Sequence, residues 1–553
     1  MTSLTQQLCK SLQAPATSKR FKDAGVGLAF IVFIQFLVIP LQITLNLNSI
    51  NLPASILVSL LLWLLMIVAN YIHEGTARLY MKYLRAPTDF LGRHMSFGFV
   101  ASFILLNRDH VSDAIDVPKI AGAFIITNLL GYISSFVLAT GSFKLEQRAR
   151  GRQPKTCDLE SNNKSWPSPS TSWPAPPTDG SPLPISQLSR ISAGLMKNDS
   201  FSSIELAKRG SASLFIDHLV RTAPVWICVF LLAVVGIPVY FATGYQTPFE
   251  ALCFVFFWVL AVQFQRSLKA SRSLLQFPRL KSATAIMANP VVIASVLGTC
   301  YLWIKTAYTK QSIDVVISEF HRHDTLAEGI IAIIKGGNLT SHIGAGDLSG
   351  PVLDAGIVCM GFKMFEYRKE LWESCATVFT TCAILAVANV FLNVLIARAL
   401  RLEPADSLAF AARSVTIALG NPAIQNLGGS TMLMSGIVIF GGILFQIAGD
   451  WVFSLLRIND RKSQQKLDYG SDSDVSVKNE KGSRFTAGTE DAVIAAGVMV
   501  GINAAAMGTA HLIERDSRAV AYSALSMTMF GTMTVALTAL PGISDVIVSL
   551  ASR

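Results

Sequence analysis

The sequence predicts an all-α integral membrane protein with about twelve transmembrane helices, at least one of which is a broken or re-entrant element. Of the 553 residues, 51% are hydrophobic and only 15% are charged, and the mean hydropathy is +0.47. Soluble domains carry about 25% charged residues. The apolar residues form runs of about 20, which is the length of a spanning helix, and they lack the alternation of barrel strands. Because lipid offers no hydrogen-bond partners to the backbone, we expect these runs to be helical.

Twelve apolar stretches have the length and composition of membrane spans. They cover residues 25–46, 52–72, 95–108, 119–141, 222–243, 248–265, 284–306, 348–366, 375–397, 431–456, 490–511 and 518–540. A further apolar stretch, 406–429, is interrupted by polar residues.

The net charge of +10 does not require a nucleic-acid partner. The basic residues concentrate in the links between spans, and cytoplasmic loops of membrane proteins are usually rich in Lys and Arg. The segment 458–489 is one such basic, polar loop. It would face the opposite side of the membrane if 406–429 crossed completely. A broken or re-entrant element at 406–429 keeps the loop cytoplasmic, whereas the alternative is a local failure of the charge bias.

Two polar segments divide the chain into a predicted domain organisation. Residues 1–142 hold four spans, and residues 143–215 contain the Pro/Ser-rich tract SWPSPSTSWPAPPTDGSPLP. Such a composition buries too little apolar surface to fold, so we expect a disordered tether. Residues 216–553 form the second membrane unit, with the loop 458–489 inside it.

Motifs of enzymes and metal sites are missing from the sequence. It contains no P-loop, no GxSxG, no HExxH and no dinucleotide-binding fingerprint. Its eight cysteines form no CxxC pair. We therefore expect neither an enzyme nor a cofactor nor a bound metal.

The densest polar cluster inside an apolar region is RSVTIALGNPAIQN, residues 413–426. Arg413 is a planar cation suited to a carboxylate, with the hydroxyls of Ser414 and Thr416 nearby. Asn421 and Pro422 fit the N-cap and first turn of a new helix, whose amino end would attract an anion. These five residues are candidate substrate-binding residues. The alternative is a proline kink with Arg413 extended to the lipid headgroups.

Other polar positions interrupt the apolar runs. Asn289–Pro290 repeats the helix-start pattern and makes Asn289 a further candidate. Asp354 lies within a span and is a candidate for neutralising Arg413 or binding a coupling proton, since intramembrane carboxyls are usually paired or functional. Asn503, Met507 and His511 share a helix face. This face predicts either close helix packing or a polar pathway, with Asn503 as a binding candidate and His511 as a second coupling candidate.

Several segments resemble the LrgB/CidB family. They are NPVVIASVLG (289–298), GPVLDAGIVCMGFKMFEYRKEL (350–371), LEPADSLAFAARSVTIALGNPAIQNLGG (402–429), GIVIFGGILFQ (436–446), LLRI (455–458) and MGTAHLIERDSRAVAYSALSM (507–527). The motif Gly508–Thr509–Ala510 adds Thr509 to the binding candidates. Relatives carry a histidine just upstream of this motif, where this chain has Ala505.

The N-terminal unit resembles the LrgA/CidA family in INLPASILVSLLLWLLM (50–66) and APTDFLGRHMSFGFVAS (86–102). An LrgA-like unit fused to an LrgB-like unit is the arrangement of the plastid glycolate/glycerate translocators of plants. The resemblance implies a secondary carrier of small 2-hydroxy or 2-oxo carboxylates, with transport in the LrgB-like half and an accessory or oligomerising role for the LrgA-like half. The alternative is a holin-like pore or regulatory membrane protein.

The expected partners are a small organic anion and membrane lipid, without nucleic acid, and a homo-oligomer is left open. The sequence predicts a multi-pass membrane protein but does not indicate which membrane holds it.

Overall fold

The computed structural model describes residues 15–48, 52–73, 75–105, 116–150, 219–270, 288–323, 325–334, 343–456, 458, 490–515 and 517–552. Helices account for 89% of the described part, and none of it lies in a β-strand. The predicted all-α class is confirmed.

The main helices are numbered here in chain order. They are α1 (Pro15–Leu47), α2 (Ala54–Ile72), α3 (Arg85–His94), α4 (Gly98–Leu105), α5 (Val117–Ala149), α6 (Ala223–Thr243), α7 (Thr247–Ala270), α8 (Pro290–Thr309), α9 (Ile313–Phe320), α10 (Leu326–Ile334), α11 (Gly350–Glu366), α12 (Arg368–Glu373), α13 (Cys375–Ala399), α14 (Pro404–Ala409), α15 (Ile417–Leu427), α16 (Thr431–Leu455), α17 (Glu490–Asn503), α18 (Ala505–Glu514), α19 (Val520–Ala539) and α20 (Pro541–Ser552).

Within the described residues, ten helical segments are long and apolar enough to cross a membrane: α1, α2, α5, α6, α7, α8, α11 with its preceding turn, α13, α16 and α19. The chain is therefore a multi-pass integral membrane protein, whereas the predicted count of about twelve is not confirmed. The predicted span 95–108 contains a 3₁₀ turn and the eight-residue helix α4. The predicted span 490–511 is divided into α17 and α18.

Burial separates inner helices from outer ones. In the span Gly346–Glu366, 72% of the residues in its most apolar stretch are buried. In the span Ala223–Thr243, the corresponding share is 11%. Helix α6 accordingly exposes large apolar side chains such as Trp226 and Phe241, as a lipid-facing helix does. Helices α11, α16 and α19 form the interior, and a polar group there must find its partners within the protein.

Glycines allow the inner helices to approach closely. The α-carbon of Gly361 on α11 faces the backbone carbonyl of Ser59 on α2, and Gly501 on α17 faces Ser523 and Ser526 on α19. A Cβ at either glycine would overlap these atoms. Small residues at helix contacts are the usual means of packing within a membrane, where the hydrophobic effect does not drive helices together.

The contacts group the described residues between 20 and 150 and between 224 and 552 into one compact unit. In this unit, α5 packs against α13 and α17. Helix α5 continues to Ala149, beyond the predicted start of the tether at residue 143. The rest of the predicted tether lies outside the described residues, and so does the loop 458–489 apart from Ile458.

Candidate functional site

The first break in helical structure lies between α14 and α15. A 3₁₀ turn, Phe410–Ala412, ends at Arg413, and α15 begins at Ile417. Thr416 has an extended backbone, and its carbonyl accepts from the N–H groups of Leu419 and Gly420, at 2.9 and 2.8 Å. The predicted broken element is therefore confirmed, with its break at residues 413–416.

The predicted helix start at Asn421–Pro422 is wrong. Both residues lie inside α15, in its second turn, and Asn421 is not an N-cap. Proline there removes a single backbone hydrogen bond from the helix. The start of α15 is instead set by packing, because Leu419 lies against Gly531 of α19 and Gly420 lies against Met434 of α16.

A second break separates α17 from α18. Helix α17 ends at Asn503, and Ala505 has φ of +46°, in the left-handed region. For a residue other than glycine, this conformation costs roughly 1–2 kcal/mol. The strain persists only where the surrounding packing enforces it, and such positions concentrate at functional sites.

The two breaks meet at Arg413. Its guanidinium donates from Nη1 to Asn128 Oδ1 on α5, at 2.8 Å, and from Nη2 to Asn503 Oδ1, at 3.3 Å. The side chain is 2% exposed. Discontinuous helices that meet within a membrane form the substrate sites of many transporters.

Asn503 is held in one orientation by α5. Its Nδ2 donates to Ser135 Oγ at 2.8 Å, to the Gly131 carbonyl at 3.2 Å and to the Met499 carbonyl at 2.9 Å. The Asn503 amide oxygen therefore faces Arg413. Gly131 lies directly against this contact, since a Cβ there would overlap both Arg413 Nη2 and Asn503 Oδ1.

No carboxylate of the described residues lies within 4.0 Å of the Arg413 guanidinium, whose neighbours are neutral amides. A buried cation normally requires a paired anion, because desolvation of an isolated charge costs several kcal/mol. Its Nε–H is also buried without an acceptor in the described structure. The arrangement therefore suits a bound anion.

The other candidate residues near the first break are buried, as Arg413 is. Ser414 and Thr416 are 3% and 4% exposed, next to Arg413 in the chain. Asn289 is the N-cap of α8 as predicted, because its side chain accepts from Val291 N at 2.9 Å. It also donates to Gln446 Oε1 at 2.7 Å, and Gln446 in turn contacts the Met507 carbonyl of α18. Asn289 thus joins a hydrogen-bond chain that reaches α18 instead of Arg413.

Thr509 and the two coupling candidates lie elsewhere. Thr509 bonds to Ser523 of α19 at 2.7 Å. Asp354 lies beside Ser55 of α2 and Gln35 of α1, so the expectation that it neutralises Arg413 is wrong. Helix α11 directs this carboxyl to the N-terminal helices, which the sequence could not reveal. The Nε2 atom of His511 lies 3.6 Å from Oδ1 of Asp450, and the His511 ring meets the Phe445 ring edge-on.

One face of α5 carries the residues of the candidate site that the sequence analysis missed: Asn128, Gly131, Tyr132 and Ser135. Their spacing of three, four and seven residues is that of one helix face. A polar face on an otherwise apolar span was the signal that could have identified them.

A metal site is not formed by the residues that the structure describes, since nowhere do three His, Cys, Asp or Glu side chains cluster.

Residues 275–474 and 486–541 match the model of the LrgB-like family. The C-terminal part of this chain, called here the LrgB-like part, is similar to this family. The predicted resemblance to LrgB is thereby confirmed, and it covers α8, both helix breaks and Arg413, whereas the LrgA-like character of residues 1–142 stays a prediction. No solved structure matches the chain.

Two named relatives are similar to part of this chain. The plastidal glycolate/glycerate translocator 1 of Arabidopsis thaliana is 22% identical over 206 residues, which are 37% of this chain and 34% of the translocator. The holin-like protein CidB of Staphylococcus epidermidis is 22% identical over 200 residues, which are 36% of this chain and 73% of CidB. The chain thus spans about a third of the translocator's length. Their names denote a membrane translocator and a holin-like protein.

Proposed function

We propose that the protein is a secondary carrier of small 2-hydroxy or 2-oxo monocarboxylates of the glycolate and glycerate kind. The observation that carries the proposal is the buried Arg413, which lies where two helix breaks meet and has neutral partners. The name of the plastidal translocator supports the substrate class.

Arg413 binds the substrate carboxylate in this proposal. The guanidinium is permanently charged, and its N–H groups match the two oxygens of a carboxylate. The break places it immediately before α15, whose amino end carries a partial positive charge. A site enclosed by two interrupted helices can rearrange at the breaks, which is the property that alternating access requires.

Ser414 and Thr416 of the first break, together with Asn503 of the second, complete the site on the C-terminal side. Asn421, Pro422, Asn289 and Thr509 act through packing around the two breaks and not through contact with Arg413. Asp354 is the stronger candidate for a coupling proton, because it lies within the Gly346–Glu366 span beside neutral side chains. His511 lies beside the exposed Asp450 and is the weaker candidate.

The second candidate function is a holin-like pore, which the match to 73% of CidB favours. A pore passes solutes in proportion to their concentration, without a saturable site. Charge at one buried residue then matters little to permeation. The two functions therefore differ in saturation and in their dependence on Arg413.

The test is uptake by the purified full chain in liposomes across glycolate, glycerate, pyruvate and acetate, with glycerol as a neutral solute. We expect saturable carboxylate uptake, no glycerol flux, and loss of uptake in Arg413→Gln. Arg150→Gln is the matched control, because it removes a cation that pairs with Glu146 at 2.6 Å at the exposed end of α5. Unsaturable flux of glycerol together with the acids, unaffected by Arg413→Gln, would instead establish the pore.

A further inference from the structure

The anion site proposed above has an unassigned side, formed by α5 of the N-terminal unit. Asn128 on this helix is 4% exposed and accepts from Arg413 Nη1 at 2.8 Å. Tyr132 lies one turn further along the same face, within electrostatic range of the Arg413 guanidinium. Its ring stacks on Phe445 of α16, with 6.1 Å between ring centres and 10° between planes, which fixes the position of its hydroxyl.

Three donors of this cluster are buried and have no acceptor in the described part of the chain. They are Arg413 Nε, Asn128 Nδ2 and Tyr132 OH. A buried donor without a partner loses its hydrogen bonds to water and gains none in return, so three in one cluster are a strong departure from ordinary packing. A ligand that supplies several acceptors and a negative charge would satisfy all three.

The orientation of Asn128 follows from its contact with Arg413. Because its oxygen accepts from Nη1, its amide nitrogen is left to donate elsewhere. The Tyr132 hydroxyl differs from the Arg413 Nε–H and the Asn128 amide nitrogen, which only donate, because it can both donate and accept. It can therefore donate to an oxo group, or donate to and accept from a hydroxyl group. The cluster therefore matches a carboxylate with an oxygen on the adjacent carbon.

We propose that Asn128 and Tyr132 of α5 are substrate-binding residues, in which Asn128 shares the carboxylate with Arg413 and Tyr132 binds the oxygen at carbon 2. The inference rests on the proposed carrier function and deepens it. It makes the N-terminal unit part of the substrate site, so that the LrgB-like part alone holds an incomplete one.

Two variants of the full chain test this inference through binding, measured as the thermal stabilisation that each acid produces. Tyr132→Phe should weaken glycolate and pyruvate binding about 3- to 10-fold, the effect of one neutral hydrogen bond, and leave acetate within about 2-fold. Asn128→Asp places a carboxylate beside Arg413. It should abolish binding of all three acids while the unliganded protein melts no lower than the wild type.

Thr140→Ala is the control, because within the described residues this α5 hydroxyl bonds only to the Phe136 carbonyl of its own helix, at 2.7 Å. Unchanged binding in Tyr132→Phe and Asn128→Asp, with loss in Arg413→Gln, would overturn the inference and leave the carrier function standing. Equal weakening of acetate and glycolate in Tyr132→Phe would overturn the assignment of Tyr132 to the second oxygen. Binding that survives Arg413→Gln would overturn both proposals.

Discussion

Arg413 donates a 2.8 Å hydrogen bond to Asn128, a residue 285 positions earlier in the chain. This contact joins α5 to the helix break of the LrgB-like part. Within the described residues the guanidinium has no carboxylate partner, and the amide oxygens of Asn128 and Asn503 share its charge. A charge held by neutral groups remains available to an anion.

The shape of the Arg413 side chain should matter as well as its charge. In the wild type, two nitrogens of Arg413 donate to Asn128 and Asn503. In Arg413→Lys a single ammonium replaces them. We expect the glycolate concentration at half-maximal uptake to rise about 10- to 100-fold. This is the effect of losing one charged hydrogen bond of about 1.5–3 kcal/mol. Concentration-dependent uptake measures the change, and equal half-saturation in the lysine variant and the wild type would contradict it.

Gly131 should tolerate no side chain. A Cβ there overlaps Arg413 Nη2 and Asn503 Oδ1, so Gly131→Ala should separate the two breaks, destabilise the protein by about 1–3 kcal/mol and abolish uptake. In Gly141→Ala on the same helix, the added Cβ meets no described atom within 4 Å, and the substitution should stabilise the protein by about 0.5–1 kcal/mol. Thermal unfolding in detergent compares the two, and similar behaviour of both variants would argue against a crowded site at Gly131.

Glu146 should stabilise the start of α13. Its carboxylate, 9% exposed, accepts from Thr377 N at 2.9 Å and from the Thr377 hydroxyl, in the first turn of that helix. We expect Glu146→Gln to lower stability by about 1–2 kcal/mol, since a charge at a helix amino end and its hydrogen bonds are weakened. A double-mutant cycle with Thr377→Val measures the coupling. Strictly additive effects would show that the contact contributes nothing. The glycolate concentration at half-maximal uptake should be unchanged in all of these variants.

His94 should make the protein less stable in acid. Burial, together with the charge of Arg266, lowers the pKa of His94 from 6.5 to about 4. Between these pH values the unfolded chain binds a proton that the folded protein does not, so stability falls as pH decreases from about 6.5 towards 4. His94→Phe keeps a ring against Phe90, which lies 4.7 Å from the His94 ring centre. The melting temperature of the variant should therefore decline less than that of the wild type between pH 7.5 and pH 4.5, and parallel declines would exclude His94 as the cause.

The sequence predicted the broken element at 406–429 but misplaced its break. A polar, basic segment that interrupts an apolar run cannot form an ordinary span, because charge inside lipid is too unfavourable. The position of the break followed from different physics. Local rules favoured Asn421–Pro422, whereas contacts of Leu419 with Gly531 and of Gly420 with Met434 start α15 at Ile417. The break at Asn503–Ala505 was missed altogether, since nothing in an alanine-rich run signals a left-handed residue.

The sequence by itself determined the membrane class, the approximate spans and the resemblance to the LrgB-like family, and it made Arg413 a candidate. Each of these depends on residue type and order along the chain: apolar runs of bilayer length, a family pattern, and a cation where lipid excludes one. Only the tertiary structure decided which residues surround Arg413. Asn128 and Asn503 lie 285 and 90 positions away from it, and Asp354, a nearer acidic residue, faces Ser55 and Gln35 instead. Such pairings follow from how helices pack at their small residues, and no local property of the chain specifies them.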